Sequence, residues 1–283
     1  MKTRPIALRM RRCAGFTLVE AIVVIVITGI IAGMVAVFIR SPVDSYVDST
    51  RRAELTDAAD TALRRITRDV RTALPNSFRL VTPQGSRCVE FLPTVGGGRY
   101  RAEKSESGTG NVLDFSVVGG VDRFDMLASN NSPDTPVWPG NSHVVVYNLG
   151  ANEDDAYTGN NRAQILSVAA GGYPALVTLT GNKKFPHESP GRRFHVIPNY
   201  SVIYSCSAGV LYRSEISGIS SSAPSCPTTG KVLVSHVDCD NSSFKYSVVS
   251  AANSLLAITL TLKHAQSGES VRIYHEVQVS NVP

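Results

Sequence analysis

"CAGFTLVEAIVVIVITGIIAGMVAVFI", residues 13–39, decides how the rest of this chain is read. Its last nineteen residues, Ala21 to Ile39, carry no charge. As a helix rising about 1.5 Å per residue they span roughly 28 Å, close to the ~30 Å hydrocarbon core of a bilayer. An acid, Glu20, stands directly in front of them. A carboxylate costs about 2.5–3.5 kcal/mol at the centre of a membrane helix and less near its edge, so Glu20 is a functional candidate.

The charge balance points the same way. Residues 1–15 hold Lys2, Arg4, Arg9, Arg11 and Arg12 with no acid, which equals the whole formal charge of +5. The remainder balances, 23 basic residues against 23 acidic. A basic stripe with interleaved aromatics, the footprint of a nucleic-acid surface, is absent there, so no nucleic-acid partner is expected. Basic residues upstream of an apolar run keep the leader cytoplasmic and send Arg40 onward to the far side of the membrane.

Three readings compete for this stretch. A cleaved secretory signal has a 7–15-residue apolar core and a small-residue cut site. Here the core is longer, and its best small-residue site, near Val35–Ala36, falls inside it. A plain single-pass anchor explains the length but not Glu20. The third reading takes the basic leader, Gly15, Phe16, Thr17-Leu18-Val19, Glu20 and the apolar helix as one signature.

That signature resembles the class III signal of type IV prepilins and pseudopilins. The resemblance implies cleavage by a prepilin peptidase between Gly15 and Phe16, methylation of the new amine, and a mature chain that keeps its anchor. A glycine at the cut suits this, because a backbone without a side chain enters a protease cleft closely. It also implies that Glu20 pairs with the positive N-terminus of a neighbouring subunit. Both groups are poorly solvated in lipid, and low dielectric strengthens their attraction.

Gly29, Ala32, Gly33 and Ala36 allow close helix approach in the membrane. Pro42 marks a helix kink just beyond it. Apolar residues then recur at three- and four-residue steps (Val43, Tyr46, Val47, then Ala59, Ala62, Leu63, Ile66, Val70, Leu74) until Pro75. The opposite face is charged, including Asp57, Asp60, Arg64, Arg65, Arg68 and Arg71.

Everything afterwards reads as strands. They are 88–92, 112–118, 143–149, 175–180, 194–206, 209–215, 231–237, 244–250, 255–262 and 271–280, with a hairpin turn at "SGES" (267–270). Stretches 96–111, 128–142 and 150–162 read as surface loops. The expected fold class is α+β and pilin-like: a long N-terminal transmembrane and amphipathic helix packed on an antiparallel β-rich head. Its parts are a leader (1–15), a transmembrane helix (16–41), an amphipathic helix (42–75) and a periplasmic head (76–283).

Cys13 lies in the leader; Cys88, Cys206, Cys226 and Cys239 lie far downstream without a CxxC pair. Beyond a membrane they read as two disulfides. Of three connectivities, Cys88–Cys206 with Cys226–Cys239 is preferred.

No nucleophile elbow, zinc helix, phosphate loop or dinucleotide fingerprint occurs, so no enzyme is expected. The grouping of His236 with Asp238 and Asp240 is read as surface, and Trp138 as a packed loop anchor. No cofactor is expected. Asp154 and Asp155, in the oxygen-rich "ANEDDAYTGNN" (151–161), are the candidate calcium ligands.

The resemblance extends at lower specificity. "RDVRTALPNS" (68–77), "CVEFLPTVGGGRYR" (88–101) and "YHEVQVSNVP" (274–283) are similar to O-type minor pilins of mannose-sensitive haemagglutinin (MSHA) pilus biogenesis. "YSVIYSCSAGVLYRSE" (200–215) is similar to J-type pseudopilins of type II secretion. Partners implied are the prepilin peptidase, other minor and major pilins, and an inner-membrane assembly platform with its ATPase. The implied location is the bacterial inner membrane, then a pilus or pseudopilus, with its tip a suitable place. A tip adhesin or ligand-binding minor pilin is a further alternative.

Overall fold

The computed structural model describes residues 15–81, 87–127, 138–169, 174–250, 252–264 and 268–283, the side chain of Ser41 excepted. The chain divides into two units, Met1–Arg51 and Arg52–Pro283. One helix, α1 (Leu18–Arg71), holds Pro42 in its interior. In the first unit every described side chain from Phe16 to Tyr46 is exposed, so Val43 and Tyr46 are not part of the packed stripe.

In the second unit the stripe is real. Leu55, Ala59, Ala62, Leu63, Ile66 and Val70 recur at helical spacing and are buried against β-strands. The helix ends by tightening: Thr72 N–H donates to Asp69 O (3.1 Å) and Ala73 N–H to Val70 O (3.2 Å), an i→i+3 pattern. Pro75 follows and forbids continuation.

Fourteen strands follow among the described residues: β1 (Arg79–Leu80), β2 (Cys88–Phe91), β3 (Gly96–Tyr100), β4 (Val121–Leu127), β5 (His143–Val146), β6 (Arg162–Ala169) and β7 (Ala175–Lys183). Next come β8 (Arg193–Ile197), β9 (Tyr200–Ser207), β10 (Val210–Ser217), β11 (Lys231–Ser235), β12 (Ser243–Val248), β13 (Asn253–Lys263) and β14 (Ser270–Ser280). They form a five-stranded sheet, β1-β2-β9-β10-β11, a three-stranded sheet, β12-β13-β14, and a closed barrel, β3-β4-β7-β6-β5-β8. Every pairing is antiparallel, so an apolar N-terminal helix is followed by an antiparallel β-rich region, an α+β, pilin-like fold.

The barrel is an insertion. Strands β2 and β9 are neighbours, with Phe91 opposite Val202, yet all six barrel strands lie between them in the chain. The barrel has its own core, built from Tyr100, Phe124, Phe194, Phe185, Val177 and Val196 with their neighbours. Phe124 and Phe194 meet edge to face with centroids 5.3 Å apart.

Two expected elements differ. Residues 96–100, part of the polar stretch 96–111 read as a surface loop, form β3. A Cβ on Gly97 would lie 2.6 Å from the Phe194 carbonyl oxygen, so the strand is glycine because a side chain does not fit. Residues 112–118, read as a strand, are not one. Leu113 is instead buried in the barrel core, with Phe115 packed beside Tyr100 at 5.6 Å. Strands β1, β4 and β6 were not expected at all. Residues 128–137 of the 128–142 reading and residue 267 of the "SGES" turn lie outside the described residues.

Both disulfides form, with a different pairing from the preferred one: Cys88–Cys226 and Cys206–Cys239, with Cα–Cα separations of 6.0 and 5.5 Å. Register explains the correction. Cys88 sits opposite Ser205, so the adjacent Cys206 projects from the other face of the sheet and Cys88 cannot reach it. The face shared by Cys88 and Ser205 is crossed by the segment after β10, where Ser205 Oγ donates to Pro227 O (2.7 Å). Cys206 and Cys239 lie with the helix-facing core.

Buried polar contacts fix the barrel on this scaffold. Asn148 Nδ2 donates to Pro75 O (2.7 Å), while its Oδ1 accepts from Ala156 N–H (2.7 Å) and Asn161 Nδ2 (3.2 Å). The Tyr157 hydroxyl donates to Ser77 O (3.0 Å), and the Arg79 guanidinium stacks 3.7 Å from the Tyr157 ring centre. Inside the barrel unit, burial pushes the Asp125 carboxyl up. Hydrogen bonds from Asn111 Nδ2 (2.9 Å) and Arg101 Nε (2.8 Å) outweigh this and hold it below the ordinary range. A depressed folded-state pKa means stability that is present above the unfolded value and lost as pH falls through the folded one. Asp125→Asn is therefore expected to be less stable at neutral pH but to lose less melting temperature than wild type between about pH 5 and pH 2. Thermal melts across that range check it; parallel losses in the two proteins would refute it.

Candidate processing and assembly site

Gly15, Phe16 and Thr17 precede α1 in non-helical, exposed backbone. Thr17 caps the helix: its Oγ1 accepts from Glu20 N–H (3.2 Å), and its carbonyl accepts from Ala21 N–H (3.1 Å). Thr17-Leu18-Val19-Glu20 is thus the T-x-x-E pattern of a capping box, a signal that stands in the sequence itself. The cap has a chemical consequence. It begins the helix one residue after the Gly15–Phe16 peptide, which therefore stays in non-helical, exposed backbone. A Cβ on Gly15 would meet nothing within 4 Å. Packing among the described residues therefore does not demand the glycine.

Glu20 lies in the first turn of α1, where an acid is favoured by the helix dipole. Its side chain is exposed, and its carboxylate has no hydrogen-bond or ion-pair partner among the described residues. The large apolar side chains that follow, from Ile22 to Ile39, are exposed without exception. Helix α1 is long and apolar enough to cross a membrane by length and composition. An unpartnered acid at the head of such a helix can act on a cation supplied from outside the chain. Gly15, Phe16 and Glu20 lie within six consecutive residues across the start of α1.

The other sequence candidates resolve individually. Asp154 is buried, and both of its oxygens lie within 3.0 Å of His187 Nδ1. Asp155 Oδ1 accepts from Tyr157 N–H (2.9 Å) in a local turn. Among the described residues no group of three or more His, Cys, Asp or Glu is placed to hold a metal ion. The Asp238 carboxylate is occupied by Asn241 Nδ2 (2.9 Å) and neighbouring N–H groups, and Asp240 pairs with Arg87, so neither carboxylate engages His236. Trp138 packs edge-on against Phe194 at 6.3 Å, as an anchor of the barrel.

The chain has no significant match among curated proteins or among solved structures. Residues 10–36 match the prokaryotic N-terminal methylation motif, a stretch that includes Gly15, Phe16, the Thr17 cap, Glu20 and most of the apolar run. That motif, followed by an apolar helix and an antiparallel β-rich region with two disulfides, supports a type IV pilin-like protein, membrane-anchored, processed by a prepilin peptidase and assembled with other pilins.

Proposed function

We propose that this chain is a minor pilin or pseudopilin that enters, and helps initiate, a type IV pilus of the MSHA type. Its work is assembly, with cleavage between Gly15 and Phe16 as the activating step. The carrying observation is the exposed Gly15–Phe16 peptide, set one residue ahead of the Thr17 cap and leading into an apolar helix headed by an unpartnered Glu20. The leader is cytoplasmic and the β-rich head periplasmic, since the five unbalanced basic residues of the leader directly precede the span. Partners at this level are a prepilin peptidase, minor and major pilins, and an assembly platform with its ATPase. The six-stranded insert favours a place at the filament tip, where an enlarged head meets no neighbour above it.

A second reading, a J-type pseudopilin of type II secretion, draws on residues 200–215. They fold as the β9–β10 hairpin, turning at Ala208 and Gly209 with φ of 47° and 78°. Genes adjacent to this one, for pilus biogenesis or for secretion, separate the two. The processing step has a direct test. Mass spectrometry of the protein from native membranes is expected to show a chain starting at methylated Phe16. A start beyond the apolar run, which discards the anchor, overturns the proposal.

A further inference from the structure

The strand β14 leaves one edge open. It pairs with β13 alone, over eleven residues in unbroken register. Two hydrogen bonds flanking this ladder fix its parity. His264 N–H donates to Glu269 O and Asn281 N–H to Ala252 O, both 2.8 Å. Odd-numbered β14 residues therefore turn their N–H and C=O groups to β13, and even-numbered ones, from Arg272 to Ser280, turn theirs away. None of these outward groups has a hydrogen-bond partner among the described residues. The open edge runs about 27 Å. Folded proteins blunt such edges with proline, bulges or brevity, and β14 has none of the three.

Beside this edge two adjoining clefts of about 370 and 350 Å³ separate β14 from α1. Thr67 and His275 are common to both and touch, Thr67 Oγ1 to His275 Nε2, at 3.0 Å. The clefts are also lined by Arg64, Arg68, Arg71 and two acids. The acids are already engaged: Asp60 by Arg64, and Glu276 by the Tyr274 hydroxyl. Arg68 and Arg71 are exposed and have no carboxylate partner among the described residues. A strand added about 4.8 Å beyond β14 projects every second side chain toward these two guanidinium groups.

We propose that the β14 edge receives an extended acidic segment of a partner protein. The segment adds as a further strand, with carboxylates at alternate positions reaching Arg68 and Arg71. Backbone groups on the edge supply affinity, and the arginines select the charge. This goes beyond the assembly reading and needs only the second unit of the chain.

The test uses the full chain in detergent micelles and a dye-labelled nine-residue peptide alternating glutamate and valine. Fluorescence anisotropy is expected to show saturable binding, at least fivefold weaker for the peptide with lysine in place of glutamate. Gln278→Pro removes an outward N–H and an exposed side-chain bond to Asn253 Oδ1 (3.1 Å) while sparing the backbone ladder to β13, and is expected to abolish binding with only a small change in melting temperature. Arg68→Glu with Arg71→Glu, both on an exposed helix face, is expected to weaken the acidic peptide at least fivefold. Absence of saturable binding overturns the proposal, as does equal affinity in Gln278→Pro. A wild-type dimer that Gln278→Pro dissolves overturns the partner as stated and assigns the edge to a second copy.

Discussion

Glu20→Ala is expected to be cut and methylated normally at Phe16 yet to enter filaments at least tenfold less than wild type. Under the proposed function the cut needs the non-helical Gly15–Phe16 backbone, and the Thr17 cap behind it uses Glu20 N–H, a backbone group that alanine retains. Under the same proposal entry needs the carboxylate. A buried, unpaired acid costs a few kcal/mol in lipid, and pairing it with a neighbour's amine relieves part of that cost. Each 1.4 kcal/mol so gained is tenfold in association. Glu20→Gln separates the two roles open to this residue. Glutamine at the third position keeps the capping-box pattern and a side-chain oxygen that can accept from Thr17 N–H, but it carries no charge. If helix capping were the whole role, glutamine would restore entry; under charge pairing it fails like alanine. The measurement is the ratio of subunit in sheared filaments to subunit in membranes, with mass spectrometry of both N-termini. Wild-type entry of Glu20→Ala refutes the pairing.

The N-terminal third was legible because its signals are local. A charge-free run, a basic leader and a three-four apolar rhythm each report a single element without knowledge of its neighbours. The last three strands were legible for the same reason: β13 alternates buried and half-buried residues along most of its length, and this is the period-two signal. The barrel was not. Its β3 opens on three glycines that only the closeness of Trp138, Phe194 and Met126 explains, and Leu113 and Phe115 alternate like a strand although they fill the barrel as a loop. Closure itself leaves no mark in sequence, since β3 meets β8 across nearly a hundred residues. At the candidate processing site the residue types stand in the sequence itself. The role of Thr17 required seeing where the helix begins. The pairing of cysteines failed for a related reason, because it turns on which face of β9 each neighbour occupies.

That pairing carries the second large effect. Cys206→Ala with Cys239→Ala removes a cross-link spanning 33 residues, and Cys88→Ala with Cys226→Ala removes one spanning 138. Loop-closure entropy sets the cost of each at about 2–5 kcal/mol, larger for the longer loop. In a domain of this size, such losses lower the melting temperature by roughly 5–15 °C. The longer link also encloses the whole barrel insertion, since Cys88 precedes β3 and Cys226 follows β10. Its removal is therefore expected to free the ends of the insertion and raise protease nicking there. The shorter link ties β9 to the segment before β12 and leaves the barrel alone. Non-reducing peptide mapping is expected to join the Cys88 peptide to that of Cys226, and the Cys206 peptide to that of Cys239. A Cys88–Cys206 species would contradict the register of β2 against β9, because the two side chains leave the sheet on opposite faces. Equal melting temperatures with and without reductant would show that the entropy of these loops is not what holds the head together.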